Sequence, residues 1–115
     1  MKNMLCVGLL PEEIRGVKAK AAKALLELVA DEFGVSAEDI LGESRLRIHS
    51  VPRFYFYVMC KDVLHFTYDE ICNFTNRKRL TVIVKGVTRV RQILRNPNMQ
   101  DKYDNLIKKL ENEYI

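Results

Sequence analysis

Three consecutive cations at residues 77–79 lead into a run of β-branched side chains, whose residue types are typical of a strand. As a strand, the alternation would place Lys85 on the face of Ile83 and Val87, and the pattern ends soon afterwards. As a helix of residues 78–94, the same segment gathers its apolar side chains in an arc of about 120°. The helical pattern is longer and more regular, so we predict a helix despite the propensity cost of the β-branched residues. The predicted apolar arc consists of Leu80, Ile83, Val84, Val87, Val90 and Leu94.

A second helix is predicted from Pro11 to Phe33, where apolar residues recur at helical spacing. Pro11 suits its first turn and Gly34 its C-terminal end. Ser36 then precedes an alanine and two acidic residues, which is a capping pattern for a short helix that Gly42 would end. These signals predict two helices joined by a tight turn.

Pro52 is expected to open the next helix, in which apolar and charged side chains separate onto opposite sides. Thr67 and Glu70 have the pattern of a capping box, which predicts a short helix ending near Phe74. Apolar side chains at helical intervals predict a final helix over residues 98–115. With no internal repeat, the chain is expected to form a single all-α domain of about six helices over its whole length, 1–115.

The composition is that of one folded domain, with 115 residues of which 48% are hydrophobic and 30% charged. Cys6, Cys60 and Cys72 form no C-x-x-C pair, and the two histidines complete no usual zinc pattern. We therefore expect no metal, no cofactor and reduced, mostly buried thiols in a cytoplasmic protein. The apolar start of the chain is too short for a signal peptide or a membrane span, so we expect it to pack on the body.

The charges give the predicted helix of residues 78–94 a second, cationic face. The net charge of +4 and the pI near 9.0 permit nucleic-acid binding without requiring it. In the major groove, cations can reach phosphates or guanine edges, and small side chains can meet thymine methyl groups. A short capped helix, a polar turn and this helix have the order of a helix-turn-helix, although a basic face can also be solvated surface. The cationic face consists of Lys78, Thr81, Val82, Lys85 and Arg89.

A basic loop is predicted between Gly42 and Pro52, where Arg45 and Arg47 lie close together. Such a loop can also be ordinary solvated surface. Its apolar candidates for burial are Leu46, Ile48 and Val51.

Three stretches of the chain carry a family resemblance. The first, "VADEFGVSAEDILGESRLRIHSVPR", contains the pattern R-x-R-x-x-x-x-P-R, and the others are "YDEICNF" and "LTVIVKGVTRV". From about Val29 to the C-terminus they resemble the DNA-binding domain at the end of the bacterial replication initiator DnaA. The second and third stretches look like the two helices of that family's helix-turn-helix. Residues 1–28 lie partly outside the resemblance.

This resemblance implies a protein that binds double-stranded DNA. In the family the basic loop reaches the minor groove, so Arg45 and Arg47 would contact the minor groove or phosphates. Arg53, expected on the first turn of a helix, would hold a phosphate with help from nearby backbone amides. The residues implied to face bases in the major groove are Lys78, Thr81, Val82 and Lys85.

The recognition segment departs from the family pattern, which reads close to G-G-R-D-H-T-T-V. Residues 76–83 stand against it, with Arg79 and Leu80 in place of the aspartate and the histidine. The initiator's own recognition sequence is therefore not the expected target. Arg77 and Lys78 add further cations, so more of the affinity should be salt-sensitive and sequence-independent. With no G-x-x-x-x-G-K-[ST] loop, we expect a stand-alone DNA-binding protein, a regulator or replication-associated factor of bacterial or phage origin.

Two other classes of function compete with DNA binding. The missing signature residues also fit a protein interaction module that kept the fold, lost DNA recognition and binds a protein partner or a second copy. An enzyme is the least expected class, since Asp62 and His65, an acid and a histidine one helical turn apart, have no nucleophile nearby in sequence. No catalytic residue is assigned.

Overall fold

A computed structural model describes the backbone of residues 11–77 and 79–114 and the side chains of 16–77 and 79–112, and all of its regular secondary structure is α-helical. No strand occurs in those ranges, and the predicted all-α class is confirmed. In chain order the helices are α1 (Pro11–Phe33), α2 (Ala37–Leu41), α3 (Arg47–Asp62), α4 (Tyr68–Thr75), α5 (Leu80–Ile93) and α6 (Pro97–Tyr114).

Helix α3 is the centre of the domain. Its Tyr55 and Tyr57 are at most 1% exposed, and it packs against α1, α2, α4 and α5. Helix α6 packs on α1 and buries Leu106 and Leu110, while the Tyr55 hydroxyl donates to the Met99 carbonyl at 2.9 Å. Burial of large aromatic side chains is a major stabilising contribution in a chain of this size. Helix α5 therefore rests on the most deeply buried helix of the domain.

The helix ends follow the local signals in the sequence. At the start of α2 the Ser36 hydroxyl accepts from the Asp39 N–H at 3.0 Å. At α4, Thr67 and Glu70 form the predicted capping box, in which each side chain accepts from the backbone N–H of the other residue. Gly34 follows the end of α1 with a φ of 67°, where a side chain would introduce strain.

The observed start of α3 differs from the predicted one. The helix begins at Arg47 rather than at Pro52, because the Leu46 carbonyl already accepts from the N–H groups of His49 and Ser50, both at 2.9 Å. Pro52 therefore lies inside the helix. The segment predicted as a loop thus contains the first turn of α3.

Helix α5 begins at Leu80, slightly after its predicted start, and its buried face is rotated from the predicted one. Leu80 and Val84 are 45% and 38% exposed, whereas Gly86 is buried. A Cβ on Gly86 would lie 2.7 Å from Cδ1 of Phe54 and 3.0 Å from Cδ2 of Tyr57. The glycine thus lets α5 approach α3 closely, and this contact turns Leu80 and Val84 outward. The other buried residues of α5 are Ile83, Val87 and Val90.

Cys60 and Cys72 are buried and unpaired, as the sequence predicts, and burial raises the pKa of both thiols. Cys6 lies outside the described residues. Among the described helices, none combines the length and the apolar character that a membrane crossing requires. The described side chains also form no group of three or more potential metal ligands.

Candidate nucleic-acid interface

Helices α4 and α5 are the two helices of a helix-turn-helix. Asn76 follows α4 with a left-handed backbone, φ 56° and ψ 34°, and the Arg77 N–H donates to the Cys72 carbonyl at 3.0 Å. Asparagine tolerates this conformation better than most residues that have a side chain. Arg79 then precedes α5, which packs on α4, and Lys78 lies outside the described residues. The turn therefore fixes the direction in which α5 leaves α4.

The outward face of α5 carries four of the five side chains of the predicted cationic face. Thr81, Lys85 and Arg89 are exposed, and Val82 is 43% exposed. Thr88 is exposed on the same face and was not predicted, although a rotation of about 100° per residue places it beside Thr81. This face presents two cations among small side chains.

The second predicted cationic element lies at the start of α3. Arg45 and Arg47 are both exposed, but Arg47 is the first residue of α3 and not part of a loop. Leu46 and Ile48 alternate with these arginines and are 62% and 64% exposed. The prediction that these two side chains are candidates for burial is therefore wrong. Val51 is buried, as a candidate for the core should be. The result is an exposed edge on which cationic and apolar side chains alternate.

Arg53 is not on the first turn of a helix, where it was expected, and it is only 7% exposed. Its guanidinium donates to the carbonyls of Ile40 at 2.6 Å, Ser44 at 2.8 Å and Asp39 at 3.1 Å. These carbonyls lie at and just beyond the C-terminal end of α2, where helical carbonyls lack partners of their own. Arg53 thus fixes the chain between α2 and α3 and is turned away from solvent.

Arg77 binds the same segment from the helix-turn-helix side. It is half-buried, and its Nη2 donates to the Leu41 carbonyl at 3.0 Å and to the Gly42 carbonyl. Two arginines from different elements therefore converge on the chain that leads to Arg45. Their common target couples the position of this chain to that of the turn before α5.

A network that the sequence did not predict anchors the same loop from within. The Nδ1 of His49 lies 2.9 Å from the Ser44 hydroxyl, and its Nε2 lies 3.5 Å from the Asp39 carboxylate. The Ser44 hydroxyl also accepts from the Leu46 N–H at 3.2 Å. The Ser44 hydroxyl thus links His49 to the backbone on the other side of Arg45. We therefore assign these contacts to holding Arg45 in place.

A cavity of about 600 Å³ lies between the loop and α5. Arg45 lines it from the loop, Val82 from α5 and Phe54 from α3. The two predicted DNA-contacting elements therefore border one common space. The remaining lining residues are Glu43, Ser50, Arg53 and Arg77.

The exposed cations of this surface have no acidic partner within the part of the chain that the structure describes. They are Arg45, Arg47, Arg79, Lys85 and Arg89. Several cations elsewhere are neutralised, and their ion pairs are Lys18 with Glu70, Arg91 with Asp62, and Lys109 with Glu32. Positive charge without a partner on one face attracts polyanions.

Both helices that carry these cations begin without a side-chain cap. Leu46 precedes α3 and Arg79 precedes α5, and neither side chain makes a capping hydrogen bond. Ser36 and Thr67, by contrast, cap α2 and α4. Uncapped first-turn N–H groups are suited to phosphates and other anions. The backbone of α3 and α5 thus adds donors to the cationic surface.

Asp62 and His65 are the pair that was considered for an enzyme, and Asp62 makes a contact between two helices. The Asp62 carboxylate accepts two hydrogen bonds from the Arg91 guanidinium, both at 3.0 Å, which ties α3 to α5. His65 is half-buried in the turn after α3, with a φ of 59°. The Asp62 carboxylate is therefore already engaged by an arginine.

A comparison with known families agrees with this arrangement. The family described as bacterial dnaA protein helix-turn-helix matches residues 22–90, which contain the loop, α4 and most of α5. No curated protein and no solved structure matches the chain. Because the family match covers more than half of its length, the chain belongs to the bacterial DnaA helix-turn-helix family.

Proposed function

We propose that this protein binds double-stranded DNA with α5 in the major groove and with Arg45 and Arg47 at the minor groove or the phosphate backbone. The observation that supports this most is the placement of two exposed, unpaired cationic elements on either side of one cavity. Membership of a helix-turn-helix family supports the same class of ligand. The proposal extends to a role as a regulator or a replication-associated factor.

The exposed side chains divide into those that suit phosphates and those that suit bases. Lys85 and Arg89 suit phosphates or guanine edges, while Thr81 and Val82 suit thymine methyl groups. Arg79 and the free N–H groups at the starts of α3 and α5 suit phosphates. All of these cations and N–H groups can contact phosphates, so we propose that much of the affinity is independent of sequence.

Arg53 and Arg77 serve the interface indirectly, because their hydrogen bonds shape the chain that carries Arg45 and Arg47. A loop that is already ordered loses less conformational entropy when it binds. Both arginines are therefore assigned to positioning rather than to DNA contact. This assignment replaces the phosphate contact first expected of Arg53.

Fluorescence anisotropy of a labelled random-sequence duplex at low salt tests the proposal. We expect the wild-type chain to bind and both Arg47→Ala and Lys85→Ala to weaken binding. Lys20→Ala removes an equal charge from the exposed surface of α1 and should leave binding nearly unchanged. Absence of binding, or equal losses in all three variants, would contradict the proposed surface.

A protein interaction module is the second candidate, and the exposed Leu46 and Ile48 favour it. Affinity capture from a native lysate before and after nuclease digestion separates the two candidates. A defined partner that survives digestion, together with no binding to any duplex, would favour the interaction module. Loss of the captured material on digestion would favour DNA.

A further inference from the structure

Among the described residues, the most exposed large apolar side chains lie at the start of α3, beside Arg45 and Arg47. Among the described residues, every large hydrophobic side chain that is exposed lies at the start of α3 or on α5, and none lies on α1, α2, α4 or α6. The most exposed are Leu46 and Ile48, at 62% and 64%. Single exposed apolar residues are normal, but two strongly exposed apolar side chains on either side of Arg47 indicate a partner for this edge.

We propose that Leu46 and Ile48 are wedge residues, apolar side chains that enter the minor groove beside Arg45 and Arg47 and partly unstack a base step. This inference rests on the proposed function and adds to it a deformation of the bound DNA. Minor-groove proteins commonly insert apolar side chains between bases and bend the duplex by about 20–90°. Leucine and isoleucine are among the side chains that do so.

The charges beside the two apolar residues select DNA as the partner. Arg45 and Arg47 are exposed and have no acidic partner within the described residues. An acyl chain or an apolar protein groove would leave both guanidinium groups without a counter-charge. A minor groove supplies phosphates for the arginines and base faces for the apolar side chains at the same time.

The backbone at this edge is fixed firmly enough to act as a wedge. The Leu46 N–H donates to the Ser44 hydroxyl at 3.2 Å, and the Leu46 carbonyl accepts from the N–H groups of His49 and Ser50. The Ser44 carbonyl accepts in turn from the buried Arg53 at 2.8 Å. A side chain that unstacks bases needs a rigid backbone, and these hydrogen bonds fix both the N–H and the carbonyl of Leu46.

DNA bending by the full-length chain tests the proposal. Energy transfer between dyes on the two ends of a random-sequence duplex of about 30 base pairs reports bending, and 2-aminopurine in the duplex reports unstacking. We expect wild-type binding to raise both signals. The double variant L46S/I48S should still bind but leave both signals at the level of free DNA. Its salt dependence should match that of the wild type, because no cation is removed.

The variant L80S/V84S is the matched control, because it removes comparable exposed apolar side chains from α5 at positions to which no DNA contact is assigned. It should bend the duplex as the wild type does. A bound but straight duplex in the wild-type complex would overturn the wedge and leave DNA binding intact. Equal bending by L46S/I48S would also overturn it, whereas failure of the wild type to bind any duplex would refute the proposed function itself.

Discussion

Replacing Gly86 by alanine is expected to destabilise the protein, although alanine is the better helix former. The new Cβ would lie 2.7 Å and 3.2 Å from two ring carbons of Phe54 and 3.0 Å from Cδ2 of Tyr57. Tyr57 is 1% exposed, so its ring cannot relieve the contact by turning into solvent. Such overpacking costs about 1–3 kcal/mol, and the helix propensity of alanine returns about 1 kcal/mol. The free energy of unfolding should therefore fall by about 1 kcal/mol.

Urea denaturation followed by circular dichroism measures this change, and Gly16→Ala is the matched control. Gly16 is also helical, and a Cβ there would meet nothing within 4 Å. That variant should be more stable than the wild type by about 0.5–1 kcal/mol. Gly86→Ala should also weaken DNA binding, because the added Cβ pushes α5 away from α3 and so changes the position of α5 relative to Arg45. Equal stabilisation by both substitutions would refute the close packing of α5 on α3.

Three further substitutions test other contacts. Burial opposes the ionisation of Glu70, but hydrogen bonds from the backbone of Thr67 and from Lys18 hold its pKa below the usual 4.5. The stability that these contacts contribute is present above pH 4.5 and is lost as the pH falls through the folded pKa. Glu70→Gln should therefore make the free energy of unfolding fall less steeply at acid pH. Burial raises the pKa of Tyr55 to about 12, so stability should fall between pH 10 and 12, and Tyr55→Phe should make that fall less steep in urea titrations. Arg53→Lys should cost about 3 kcal/mol in the same assay, because a single ammonium cannot replace three hydrogen bonds to separate carbonyls.

Features set by near neighbours in the chain could be predicted from the sequence. The capping box of Thr67 and Glu70 closes over three residues, and the helical spacing of α1 and α6 repeats within single helices. The cationic face of α5 follows from the same periodicity. These signals require no knowledge of how the helices pack.

Features set by packing between helices could not be predicted in the same way. The family resemblance implied that Arg53 holds a phosphate, but it is buried and its carbonyl partners lie 9 to 14 residues away in sequence. Leu80 and Val84 were assigned to the core because the prediction used the spacing of apolar side chains. Gly86 has no side chain, so it did not count toward the buried face. The close approach of α5 at Gly86 rotates both of these side chains outward.

The salt dependence of duplex binding tests the proposed interface most directly. Lys85 and Arg91 lie on the same helix, but only Arg91 is paired with a carboxylate, that of Asp62 at 3.0 Å. If Lys85 contacts a phosphate, Lys85→Ala should reduce the slope of log K against log salt by about 1, and Arg91→Ala should leave the slope unchanged. Equal slopes for the wild type and both variants, or binding that is insensitive to salt, would contradict the assignment of the outward face of α5 to DNA.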